Sequence, residues 1–279
     1  WGTWACVPFF FVYSVIYGSS CDSRWHECGH GTAFRTGKYN DWVYQIASFC
    51  MVRNPVTWRW SHARHHTDTV IVGRDPEIVA MRPPALFRIV LNVFGILDAV
   101  SGWKRMVLNA MGKLDAEEIT YIPESEHHKV AKVAQIWVLI YAATILTALL
   151  SSSILPLMLI GLPRLYGAWH HVMTGILQHA GLADNVIDHR LNSRTVYMNP
   201  ISRFIYWNMN YHVEHHMFPM VPYHRLPDLH AAIKHDLPAA NPSIFAAYRE
   251  VIPVLLRQLT YHDDFLTRAL PTTAKPYQP

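Results

Sequence analysis

Eight histidines fall into three clusters whose spacing suits a helix. His26-Glu27-Cys28-Gly29-His30 sets two imidazoles at i and i+4. His62-Ala63-Arg64-His65-His66 and His212-Val213-Glu214-His215-His216 each set three at i, i+3 and i+4. Positions three and four apart share a helical face, so each cluster presents its rings in one direction. Neutral imidazole is a good ligand for iron, zinc, copper and nickel, and convergence on metal gives the three faces one purpose. Eight ligands exceed the four of a structural zinc site and suit two metals with open positions. Iron is favoured, because a redox-active pair with vacant positions can bind dioxygen and zinc has no redox chemistry.

Other readings of these residues compete. His26-Glu27-x-x-His30 is also the H-E-x-x-H pattern of zinc hydrolases, with Glu27 as general base. That reading predicts one metal, one further ligand and no use for the H-x-x-H-H clusters. His127-His128, between Glu126 and Lys129, reads as a solvated face. His224, His230, His235 and His262 belong to no cluster and receive no role. The four cysteines form no C-x-x-C pair, which excludes a zinc ribbon or a disulfide framework and fits reduced thiols; Cys28 reads as packing.

The clusters lie beside apolar runs, and this predicts an all-α integral membrane helical bundle. Residues 1–18 carry no charge and have the length of a span, with Asp22, Arg24 and His26 marking the exit into water. Residues 42–53 are too short to cross and read as buried or interfacial until Asn54-Pro55 breaks them. Arg74, Asp75, Pro76 and Glu77 form a polar loop. Residues 85–100, with Arg88 and Asp98, read as an amphipathic helix at the membrane surface. Residues 134–151 and 154–177 read as two antiparallel spans, which puts the second and third clusters on one side. Positively charged loops between Arg24 and Arg105 make that side cytoplasmic. Residues 20–130 and 179–270 then form a helical cap in a single domain. Asn241-Pro242 reads as the cap of an amphipathic helix to about Leu259, and the proline-rich tail after Leu270 is expected to be ordered only if docked. The net charge of +4 is dispersed rather than gathered into a stripe, so nucleic acid is not an expected partner. The chain opens on Trp1 inside an apolar run, and the natural N-terminus is expected to lie further upstream.

HECGHGTAF and YHVEHHMFPMVPYH, with the order H-x-x-x-H, H-x-x-H-H, H-x-x-H-H and a membrane hairpin before the third cluster, resemble the membrane fatty acid desaturase and hydroxylase superfamily. The resemblance covers Trp1 to about Leu237. It implies two iron ions held by histidines at the cytoplasmic face, beneath four spans of which three are visible here. It also implies a ninth histidine after the last span: His179, in Leu177-Gln178-His179, is the natural candidate, with His170 and His171 as competitors. Asn208 is a candidate to hold a water at the metal. Glu27 and Glu214 lie inside clusters, where carboxylates orient ligand imidazoles, and Asp75 and Asp188 are further candidates.

The implied reaction is reductive activation of dioxygen followed by hydrogen abstraction from an unactivated C–H bond, giving an alkene or an alcohol. A fatty acyl or other lipid-like substrate is the default, and a small non-lipid molecule is the alternative. The chain has no haem or iron–sulfur motif, so electrons are expected from a ferredoxin or a b-type cytochrome with its reductase. Arg59, Arg64 and the segment Arg190 to Arg203 form a candidate docking face for an acidic carrier. Trp58, Trp60, Trp169, Tyr206 and Trp207 read either as an apolar tunnel lining or as plain core.

Overall fold

The charge-free helix α1 (Cys6–Val15) runs through a π-helical turn, Ile16–Ser20, into α2 (Cys21–Gly29), which bears the first cluster. The computed structural model describes residues 2–78 and 83–277; Trp1 of the expected first span and residues 79–82 of the expected cap lie outside them. Helix α3 (Gly37–Met51) folds back on α2 over a core of Trp25, Cys28, Tyr44, Met51 and Trp58. A Cβ on Gly29 would sit 2.4 Å from the Trp58 ring, so glycine there lets the indole lie against the helix. Helix α3 ends at Val52, in the left-handed region at φ 55°. Asn54 then caps α4 (Pro55–Thr67) by accepting the Val56 N–H, with Pro55 in the first turn. The Asn54-Pro55 break is therefore also the start of the helix carrying the second cluster.

Two expected membrane elements have different shapes. Instead of one surface helix over 85–100, α5 (Leu86–Leu91) and a short 3-10 turn meet α6 (Ile96–Ala110) at a 79° bend. Gly95 makes the corner at φ 66°, where a Cβ would lie 2.4 Å from Arg164 Nη1 and 2.8 Å from Ala168 Cβ. After α7 (Glu118–Tyr121), α8 (His127–Leu150) runs for 24 residues. That is about 36 Å of helix, enough for a hydrocarbon layer of about 30 Å. Among the described residues it is the one unbroken helix with the length and apolarity of a span, and its leucines project outward, Leu149 being 70% exposed.

The return leg expected over 154–177 is broken into α9 (Leu155–Leu159), α10 (Pro163–Tyr166) and α11 (Trp169–His179). Pro156 and Pro163 cannot donate to a continuing helix, and each begins a new one. Short α10 packs backbone to backbone on α1. A Cβ on Gly18 would lie 2.7 Å from Pro163 O, and one on Gly167 would lie 1.8 Å from Ser14 O. Ser19 Oγ donates to Gly167 O at 2.5 Å, so small residues and a polar tie hold the contact.

Helices α12 (His189–Asn192), α13 (Pro200–Ile205), α14 (His212–Met217), α15 (Leu226–Ile233) and α16 (Ile244–Arg257) complete the chain. The described residues contain no strand, only isolated bridges such as Val196–Asn241. That bridge engages the backbone of Asn241, so Ser243 caps α16 in its place, accepting from the Ala246 N–H at 3.1 Å. The tail is docked: Leu266 N–H donates to Gly181 O, Arg190 donates to Lys275 O, and Lys275 N–H donates to Asp236.

Candidate metal centre

Four helices bring nine histidines together. Helix α2 supplies His26 and, at its C-cap, His30; α4 supplies His62, His65 and His66, and α14 supplies His212, His215 and His216; the last turn of α11 adds His179. They form two groups: His26, His30, His62, His66 and His215 in one, and His65, His179, His212 and His216 in the other. Within each group the candidate ligand atoms all lie within 4.8 Å of one another. The division follows helix geometry. Residues i and i+4 of an H-x-x-H-H run nearly in line, whereas i+3 is turned aside by about 60–100°. On α4 the pair His62/His66 serves the first group and His65 the second; on α14 the pair His212/His216 serves the second and His215 the first. The groups adjoin, with ring centroids of His66 and His216 4.5 Å apart.

The imidazole nitrogens in these groups face one another. His62 Nε2 lies 3.0 Å from the Nε2 atoms of both His30 and His66, and His66 Nε2 lies 3.1 Å from that of His215. In the second group His212 Nε2 lies 2.9 Å from His179 Nε2 and 3.0 Å from His216 Nε2. Four of the Nδ1 atoms are held from behind: His65 donates to Asp75 at 2.8 Å, His62 to Glu77 at 3.1 Å, and His179 to Asn192 O at 2.9 Å. His216 Nδ1 meets Thr69 Oγ1 at 3.2 Å. A ring that spends its proton at Nδ1 presents a lone pair at Nε2, so these contacts cannot all be hydrogen bonds. Converging lone pairs repel unless a cation lies between them. Nitrogens about 2.1 Å from a shared ion would sit about 3.0 Å apart at right angles, and the spacing fits that requirement.

The electrostatics suit ligands. Burial, then the charge of neighbouring imidazoles, holds His26, His62, His66, His212, His215 and His216 well below the ordinary histidine range. His30 is held at about 4 and His179 at about 3, again chiefly by burial. All are neutral at physiological pH, the form that binds metal. His65 is the exception: burial lowers it, but the hydrogen bond to Asp75 and the Glu77 and Asp75 charges together raise it.

The family model described as fatty acid desaturase matches residues 2–248. The chain belongs to the fatty acid desaturase family. No curated protein and no solved structure matches it. Membership makes this desaturase-family chain an oxidoreductase of a membrane-associated, iron-using family of lipid metabolism, served by a redox partner.

Of the other assigned residues of this family member, Glu27 lies beside the ligand rings and several others do not. Glu27 is fully buried with Oε1 3.4 Å from His26 Nδ1 and 3.6 Å from His215 Nδ1, while the Tyr223 N–H donates to its Oε2. Burial pushes its carboxyl up to about 8. Glu214 does not orient a ligand ring: it accepts from Thr195 Oγ1 at 2.6 Å and pairs with His230, whose Nε2 meets the Tyr197 hydroxyl. Two residues after His212 and two before His216, it points to the far side of α14. Asp188 caps α12 and binds Arg190, and Asn208 is engaged by Arg203 and the Tyr223 carbonyl; neither reaches a ligand. His170 and His171 are buried but join neither group, being more than two helical turns before His179. Arg190 and Arg194 are also buried, Arg190 against Asp188 and Asp236, and Arg194 on the Leu177 and Ala180 carbonyls at the end of α11. They cannot present a docking face; Arg59 remains exposed.

Sequence reasoning missed Glu77, Thr69, Asn192 and His230. The available signal for Glu77 was the acidic loop a few residues after the second cluster, which folds back on α4. There Asp75 also accepts the N–H groups of Val70, Glu77 and Ile78, so the loop is built around the carboxylate that holds His65. Asp75→Asn is expected to weaken metal retention about 10–100-fold, the usual effect of losing such a partner. Timed loss of metal to a chelator measures it, and an unchanged rate would remove Asp75 from the site.

Proposed function

We propose that this chain oxidises an unactivated C–H bond of a fatty acyl or similar lipid-like substrate, using dioxygen at a pair of iron ions held by the nine histidines. The observation that carries this is the convergence of nine imidazoles into two adjoining groups, with seven of them meeting Nε2 to Nε2 and the Nδ1 atoms of His62, His65, His179 and His216 held from behind. The group of five would hold one ion and the group of four the other. Bound iron would supply the redox chemistry that activates dioxygen and removes hydrogen from carbon. The chain's own residues do the rest. Asp75, Glu77, Asn192 and Thr69 fix the rings, so the ligands need no reorganisation. Burial of His62, His65, His179, His212, His215 and His216 limits the access of bulk water to the reacting atoms. Glu27 lies on the Nδ1 side of His26 and His215, behind the ligands, where it steadies rings and is badly placed to act as the base of a zinc hydrolase.

Electrons would come from a separate ferredoxin or b-type cytochrome at the cytoplasmic face, the side that the positively charged loops favour for the site. The substrate would enter from the bilayer side, past the exposed apolar faces of α1, α6 and α8. Desaturation and hydroxylation share the first abstraction and are separated by product analysis. The test is metal content and Mössbauer spectroscopy of protein purified without added metal, then oxygen uptake with a reductase system and acyl substrates. Two coupled irons per chain and substrate-dependent uptake are expected. One zinc and no iron, or tight metal binding with no oxygen uptake under any reductant, would overturn the proposal.

A further inference from the structure

A cavity of about 250 Å³ lies among α3, α4, α6 and α8, on the Nδ1 side of His62 and so away from the face-to-face Nε2 atoms. One wall is shared with the metal centre. Trp58, stacked on His62 at 4.1 Å, and Glu77, bonded to His62, both line it. Arg164 of α10 reaches it from the broken return leg and is 0% exposed. Among the described residues its one hydrogen bond is a long one from Nε to Met51 O at 3.4 Å, and its Nη1 has no partner. Among the described residues no carboxylate comes within ion-pair distance; Asp98 and Asp22 act on the guanidinium only from further off. Two more lining side chains, Thr57 through Oγ1 and Trp58 through Nε1, have buried polar atoms with no partner.

An unpaired buried guanidinium is costly, and such a group ordinarily has a partner. The other cations in the wall do not need one as much. Arg105 is paired with Asp115 at 2.9 Å, and Arg53 faces Asp22 at 3.8 Å. Glu77 and Asp98 also line the cavity, but neither comes within ion-pair distance of Arg164, so the groups left without an acceptor are the Arg164 guanidinium, Thr57 and Trp58. We propose that this cavity binds an anionic head group, a carboxylate or a phosphate, with Arg164 as its counter-charge. The planar fork of the guanidinium matches two oxygens of either group. The volume equals that of about eight waters, which is room for a head group and a few carbons but not for a long acyl chain. The site is therefore separate from the one that presents a C–H bond to the metals, and it does not depend on the oxidase reading.

The test is calorimetric titration of the full chain in neutral detergent with hexanoate and with orthophosphate, on wild type, Arg164→Gln and Ser101→Trp. Ser101 lines the cavity on the exposed side of α6, so tryptophan there closes it without touching a buried group. Saturable binding of either anion by wild type, weakened at least tenfold in both variants, supports the proposal and tells carboxylate from phosphate. Anionic phospholipid that co-purifies with wild type from mixed nanodiscs and is lost in Ser101→Trp supports it with lipid as the source. If wild type binds neither anion and retains no anionic lipid, or if Ser101→Trp binds as wild type does, the proposal fails. The Ser101 variant decides the matter even where Arg164→Gln does not fold.

Discussion

His62→Ala and His179→Ala are each expected to lower metal content from about two ions per chain to about one, and to reduce turnover more than a hundredfold. The two variants should lose different ions. His62 belongs to the group of five, where its Nε2 meets those of both His30 and His66, and its removal opens the middle of that group. His179 belongs to the group of four and is the member contributed from outside the three clusters. Replacing a ligand removes direct bonding and leaves the remaining lone pairs with a weaker hold on the ion. Replacing His170, whose two ring nitrogens have no partner and which joins neither group, should leave metal content at two. Elemental analysis with Mössbauer spectra on the three variants reads the outcome. Full metal content in His179→Ala would remove the ninth ligand, and loss in His170→Ala would put the competitor in its place.

Gly167→Val is expected to destabilise the protein by about 3 kcal/mol or more, a large fraction of an ordinary stability margin. A Cβ there would meet Ser14 O at 1.8 Å, and backbone cannot give way as a flexible side chain can. To make room, α10 must move off α1 and give up the Ser19–Gly167 hydrogen bond. Because α1 continues through its π-helical turn into α2, the displacement would carry to His26 and His30. Gly175→Ala is the matched control. A Cβ at Gly175 has nothing within 4 Å, so the change should be neutral or stabilising by about 0.5–1 kcal/mol. Melting in detergent, followed alongside metal content, separates the pair; equal melting points would mean that the α1–α10 contact carries no stability.

The spacing of the histidines by itself determined the helices that carry them and the eight ligand candidates within the clusters. A face repeated at i, i+3 and i+4 is a local property, readable without any partner. Local sequence also located the break at Asn54-Pro55 and the apolar α8, though that the break caps α4 came from the structure. The tertiary structure alone decided how the clusters are divided, because each H-x-x-H-H run is split between two groups according to which helices meet it. It decided that Glu27 stands behind His26 and His215 while Glu214, at an equivalent place within its own cluster, turns to Thr195 and His230. It bent the surface helix at Gly95 and broke the return leg at its prolines and glycines, where backbone-to-backbone packing on α1 replaces a straight span. And it buried Arg190 and Arg194, which in sequence look like any other surface arginine, because Asp236 and the Leu177 carbonyl, among the groups that bind them, come from other segments of the chain. Periodicity fixes which way a side chain leaves its own helix; what it meets there depends on residues far away in sequence.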